Sequence, residues 1–192
     1  MLRIRPSVLS VVALLALLAG CQVTNPDYAA WVRFEPGSYV IFEGEQKIGD
    51  DVQPVRITEE LIGKDAEHVY LKRTTGPAGD AGGEPLVAMR VENARIDPTE
   101  DMRTHPKAVI RDVGTEDVEV AGQVFHCPVR ELELHAQTEG FIGTMTEIVG
   151  RAAVHPDMPG RFVKVSFRAR TAHHEYEMSG RIVDFRAIRN QE

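Results

Sequence analysis

From about residue 30 onward, apolar and polar positions alternate along the chain rather than recurring every three or four residues. In GSYVIFEG, Val40 and Phe42 alternate with Tyr39 and Ile41. In DVQPVRITEELIG, Val55, Ile57 and Leu61 share one side while Arg56, Thr58 and Glu60 share the other. A period of two marks half-buried strands. HVYLKRT and EPLVAMRVENARI continue the series, the second with Val87, Met89 and Val91 alternating with Ala88 and Arg90. The glycines and prolines of residues 76–85 predict a long hairpin loop between them. Further on, IDPTEDMRTHPK reads as a loop or short helical turn, because Pro98 and Pro106 bias the residues before them away from helix.

The segment DVEVAGQVFHCPVRELELHA predicts a hairpin about Ala121, Gly122 and Gln123. In its second arm Phe125, Cys127 and Val129 lie in one phase and Leu132 and Leu134 in the other, which predicts a bulge near residues 128–131. Three more strands follow in GFIGTMTEIVGRAAVH, RFVKVSFRART and HEYEMSGRIVDFRAI, with HPDMPG as a tight turn and a second bulge near Gly180. Only EELIGKDAEH and residues 93–103 offer even a weak helical pattern. The expected fold is therefore mainly β, a strongly curved antiparallel meander sheet or half-open β-barrel of eight or nine strands with few or no long helices. Curvature is the means by which such a sheet hides its edges.

The first 20 residues break this pattern. Arg3 and Arg5 precede an uncharged run from Val8 to Leu18, followed by Ala19 and Gly20. A bilayer span takes about 20 apolar residues, and this run supplies only about half of that, so it reads as a removable signal. The tetrad Leu18-Ala19-Gly20-Cys21 resembles the lipobox of bacterial lipoproteins. That resemblance implies cleavage after Gly20, a diacylglyceryl group on the Cys21 thiol, acylation of the new amino group, and anchorage to a membrane through the N-terminal lipid. Gln22, in place of the aspartate that retains such proteins in the inner membrane, implies the periplasmic face of the outer membrane in a cell that has two. The chain then divides into a cleaved signal (1–20), a lipidated polar tether (21–29) and a single β-domain (30–192).

Composition sharpens this picture. Removal of the signal takes away Arg3 and Arg5, leaving 20 basic against 29 acidic residues and moving the formal charge from -7 to -9. Such a surface repels nucleic acid. The stripe RFVKVSFRARTAHH accordingly reads as a sheet edge guarded by Lys and Arg. With Cys21 acylated, Cys127 has no disulfide partner, and an unpaired thiol in an oxidising compartment is protected by burial.

Candidate chemistry is sparse. On a strand His126 and Cys127 point to opposite faces and cannot form a dyad with each other. His173 and Glu175 share a face, and with His155 or His135 could contribute to a metal site, but nothing specifies the remaining ligands. The carboxylate pairs Glu131/Glu133 and Glu116/Asp117 are of a kind common on solvated strand faces. No phosphate-binding glycine loop, GxSxG, HExxH or CxxC occurs, so neither a cofactor nor an enzymatic activity is expected.

The run VEVAGQVFHC, followed by HPDMPGRFVKV, is similar to a pattern in uncharacterised secreted bacterial proteins. Their strand succession resembles the half-barrel sheets of lipoprotein carriers, in which a concave sheet holds acyl chains beneath covering helices. The resemblance implies a non-catalytic envelope lipoprotein that binds an apolar ligand or a protein partner in its curved sheet. Two other readings remain: an assembly lipoprotein with a filled core, and a hydrolase or metal protein using Cys127 or His173.

Overall fold

A computed structural model describes residues 22–78, 85–140 and 143–189. The signal and the tetrad ending at Cys21, the tip of the 76–85 loop, and residues 141 and 142 lie outside the described residues. The chain forms β1 (Val23–Thr24), helix α1 (Pro26–Trp31), β2 (Tyr39–Ile48), β3 (Asp51–Lys64), β4 (His68–Gly76), β5 (Leu86–Asn93) and β6 (Arg95–Ile96). It continues with a 3-10 turn (Pro98–Glu100), β7 (Val109–Val120), β8 (Gln123–Leu134), β9 (Thr138–Gly140), β10 (Gly143–Val154), β11 (Phe162–Thr171) and β12 (Glu175–Arg186).

The protein is mainly β, as expected. The large sheet runs β5-β4-β3-β2-β12-β11-β10-β8-β7, with every pairing antiparallel and β9 added beside β10. Among the described residues its end strands β5 and β7 do not pair, so it does not close into a barrel.

The order departs from a single meander. Two meanders, β2–β5 and β7–β12, are joined through pairing of β2 with β12, which places the first and last long strands in the middle. At that seam Gly44 stands directly opposite Gly180. A methyl group on Gly180 would come within 2.7 Å of the Gly44 Cα and closer still to the Glu43 carbonyl oxygen; one on Gly44 would come within 2.8 Å of the Gly180 Cα. Only glycine fits at either position, because each backbone fills the space a Cβ would need. The register shift that the sequence suggested near Gly180 falls just beyond it, between Ile182 and Asp184.

Three other expectations are corrected. The phase change in β8 involves no bulge there: Val129 to Leu134 pair in unbroken register with Ala153 to Ile148. Both strands instead contribute to two clusters, Val129 and Ala153 to the main core and Leu134 and Ile148 to a smaller one with Met145 and Ala169. The register shift expected near residues 128–131 is present in the pairing with β7, opposite Val129 and Arg130, but its extra residue is Val113 of β7, between Asp112 and Gly114. The stripe in β11 is not an edge, since β10 and β12 flank it. Its charges pair across the sheet, Arg170 with Glu147 at 2.9 Å and Lys164 with Glu116 at 3.4 Å. The weak helical pattern of EELIGKDAEH belongs to the β3–β4 hairpin.

The Ala121-Gly122 turn does match its sequence: φ is 50° and 78°, the two positive values that a two-residue turn between twisted strands requires.

The supposed tether is also revised within the described residues. Val23 pairs with Ile96, and the Asn25 N–H donates to the Ala94 carbonyl at 3.1 Å. Asn25 then caps α1, its side chain accepting the Asp27 N–H at 2.9 Å, with Pro26 in the first turn. Ala30, Trp31 and, just past the helix, Phe34 are buried in the main core. Residues from Val23 onward thus belong to the folded domain, and a six-residue helix is too short to show a 3.6-residue period.

Candidate functional site

The inward side chains of seven strands line a hollow on the concave face of the sheet. Its volume is about 450 Å³, within the ordinary range of small-ligand sites, roughly 300–1,000 Å³. Apolar walls come from β2 (Val40, Phe42), β3 (Ile57), β10 (Met145, Ile148), β11 (Phe162, Val165, Phe167) and β12 (Met178, Ile182). Helix α1 contributes Trp31, the segment around the 3-10 turn contributes Glu100 to Arg103, and the turn before β11 contributes Pro159 and Gly160. These pieces form a small cover.

One part of the lining is ionic. On β4 and β3, Arg73 Nε donates to Glu59 at 2.7 Å. From β5, Arg90 Nη1 donates to the same carboxylate at 2.8 Å, while its Nη2 reaches Asp27 of α1 at 3.2 Å and also pairs with Glu92. Asp27 in turn accepts from Arg103 at 2.8 Å, and Arg103 donates to Asp101 at 2.5 Å. The chain of alternating charges therefore ties the cover to the sheet.

Burial pushes the Asp27 carboxyl upward, but the charges and hydrogen bonds of Arg103 and Arg90 outweigh it and hold the group below its ordinary range. Burial likewise opposes the charged guanidinium of Arg103, and the Asp101 and Asp27 carboxylates override it, keeping Arg103 protonated. Among the described residues no buried side-chain nitrogen or oxygen lacks a partner. A cluster satisfied in this way is a fixed piece of architecture.

The alternation of β5 runs inside out to make this possible. Arg90 turns inward, and Val87, Met89 and Val91 are left more than half exposed on the outer side of an end strand. Nothing in the sequence pairing rules marks Asp27, Glu59, Arg90 and Arg103 as partners, since they come from four separate elements. The one visible signal was an arginine after four apolar residues of β5.

The residues singled out by sequence do not converge. Cys127 is fully buried, with its thiol donating to the Phe125 carbonyl at 3.4 Å. Burial, and then the nearby Glu116 and Asp117, push the Cys127 thiol upward, which disfavours the nucleophilic thiolate. His126 points to the exposed side and meets Asp117 at 2.7 Å. His173 sits beside His174 in the turn before β12, and Glu175 pairs with Arg170 at 3.3 Å.

His155 lies at the other end of β11, about 30 Å away at ~3.3 Å per strand residue. There it packs edge-on against Phe125 and accepts the Asp157 N–H at 3.1 Å. His135 meets Glu133 at 2.9 Å. Among the described residues no three His, Cys, Asp or Glu side chains gather as metal ligands.

Comparison of the chain with family models, with curated proteins and with solved structures finds no match.

Proposed function

We propose that this protein is a lipid-anchored, non-catalytic protein of the cell envelope that binds an apolar ligand in the hollow of its sheet. The observation that carries the reading is the hollow itself, whose apolar walls the protein's own side chains leave unfilled. An assembly protein with a packed core would have no need of such a volume, because close packing is the usual state of an interior. Burial of an aliphatic ligand there contributes about 0.8 kcal/mol per methylene. The burial of Cys127 and the distance between His173 and His155 favour this reading over a hydrolase or metal site built on those residues.

The anchor rests on the Leu18-Ala19-Gly20-Cys21 tetrad. Because Val23 is already paired with Ile96, a lipid on Cys21 would hold the domain close against the bilayer. Palmitate fed to cells should label the wild-type protein and not Cys21→Ser; label that persists in the variant overturns the anchor.

The hollow is tested through Trp31, the single tryptophan of the chain and part of the lining. Cys21→Ser protein carries no acyl chain on that residue that could compete for the hollow, so it can be titrated with decanol. Binding should change the Trp31 emission saturably, and Val165→Phe, which narrows the hollow, should weaken binding about tenfold while circular dichroism stays unchanged. An emission unmoved by decanol, or equal binding by Val165→Phe, overturns the ligand reading.

A further inference from the structure

Resting on the hollow as a ligand site, the charges in its lining point to what kind of molecule enters. We infer that the ligand is an amphiphile with an aliphatic tail and a cationic, amine-type head, and that Glu100 is the carboxylate that receives the head.

Three guanidinium groups line the hollow, Arg73, Arg90 and Arg103, against four carboxylates, Asp27, Glu59, Glu100 and Asp101. Glu92, bound to Arg90, adds a fifth. Every one of the three arginines is already engaged by at least one carboxylate: Arg73 by Glu59, Arg90 by Glu59, Asp27 and Glu92, and Arg103 by Asp27 and Asp101. An anionic head would find no free cation here and would enter a field of net negative sign. To bind an arginine it would have to share a guanidinium whose charge a carboxylate already neutralises.

A cationic head meets the opposite situation. Glu100 lines the hollow and has no ion-pair partner among the described residues. It stands at the end of the 3-10 turn, next in sequence to Asp101, and is itself exposed at the rim. A head held there stays near water while its tail lies along the Phe42, Val165 and Met178 walls.

The same lining already holds a cation against an aromatic ring. Phe162 lines the hollow, and Arg103 already lies over its ring, 5.7 Å from the centroid. Ring faces attract cations through their quadrupole and are a general means of holding ammonium groups. Carboxylates in excess and aromatic faces in the same lining select for the same sign of charge.

The inference is tested with three probes that share one tail: decylammonium, decanol and decanoate, each titrated into full-length Cys21→Ser protein at low ionic strength and below its micellar concentration. Trp31 emission reports binding. Decylammonium should bind most tightly, with an affinity about tenfold above that of decanoate, and added salt should shrink the difference. Glu100→Gln should lower decylammonium affinity about threefold, the scale of one exposed ion pair, and leave decanol unchanged.

Decanoate binding as tightly as decylammonium, with decanol also bound, overturns the cationic head while the hollow reading stands. Unchanged decylammonium affinity in Glu100→Gln overturns the assignment of Glu100. Failure of all three probes to move Trp31 overturns the hollow reading, and the inference with it.

Discussion

Gly180→Ala should lower the stability of the protein by about 3 kcal/mol or more, at or beyond the upper end of ordinary overpacking penalties, and Gly44→Ala should be comparably severe. The two glycines face each other where β2 meets β12, and a methyl group on either would press into the opposite backbone, with one on Gly180 also meeting the Phe42 ring. Relief would require the two central strands to separate. Urea unfolding of the Cys21→Ser protein should show a much lower midpoint with an unchanged slope for either variant. Gly63→Ala is the comparison: its new methyl would lie no closer than 3.5 Å to Tyr70, and its stability should stay within about 0.5 kcal/mol. A Gly180→Ala protein as stable as wild type would show that the seam is not as tight as its geometry requires.

Loss of Asp27 should have the second largest effect. Asp27→Ala removes the carboxylate that Arg90 and Arg103 share and leaves two guanidinium groups short of a partner beside an apolar wall. Breaking a fully buried pair costs about 3–5 kcal/mol. Here Asp27, Arg90 and Arg103 retain 26%, 28% and 21% of their side-chain exposure, so water offsets part of the loss and about 2 kcal/mol is expected.

The pH dependence has a definite sign. The folded pKa of Asp27 lies below its ordinary value, so its contribution is fully present above the unfolded value, about 3.9, and fades as pH falls through the folded one. Stability measured from pH 6 down to acid should therefore decline more steeply in wild type than in Asp27→Asn, with the two curves converging at the acid end. Parallel curves would mean that Asp27 does not titrate with folding.

The fold class was legible because its cause is local. Val40 and Phe42, or Val163 to Ala169 against Lys164 to Arg170, carry the period of a half-buried strand in their own sequence, and Ala121-Gly122 carries its turn. Strand order was not legible, because nothing near Gly44 names Gly180 as its partner across 136 positions. The position of the β8 phase change was visible but not its cause, since one strand facing two clusters writes the same pattern as a bulge. At the candidate site the apolar half could be anticipated from the inward faces. The ionic half could not: Asp27 lay in a segment that composition marks as a leader, and Arg90 acquires its meaning only once α1 is docked. The exposed flank of β5 follows from the same inversion.

The pairing of β2 with β12 also sets the order of events during folding. Hairpins β3–β4 and β7–β8 can close as soon as their own residues are free, whereas the strands that form the floor of the hollow are separated by nearly the whole chain. Contacts of that separation are slow to form because the long intervening loop must first be closed. The two halves are therefore held apart until β12 arrives, and the cavity comes into existence only at that step.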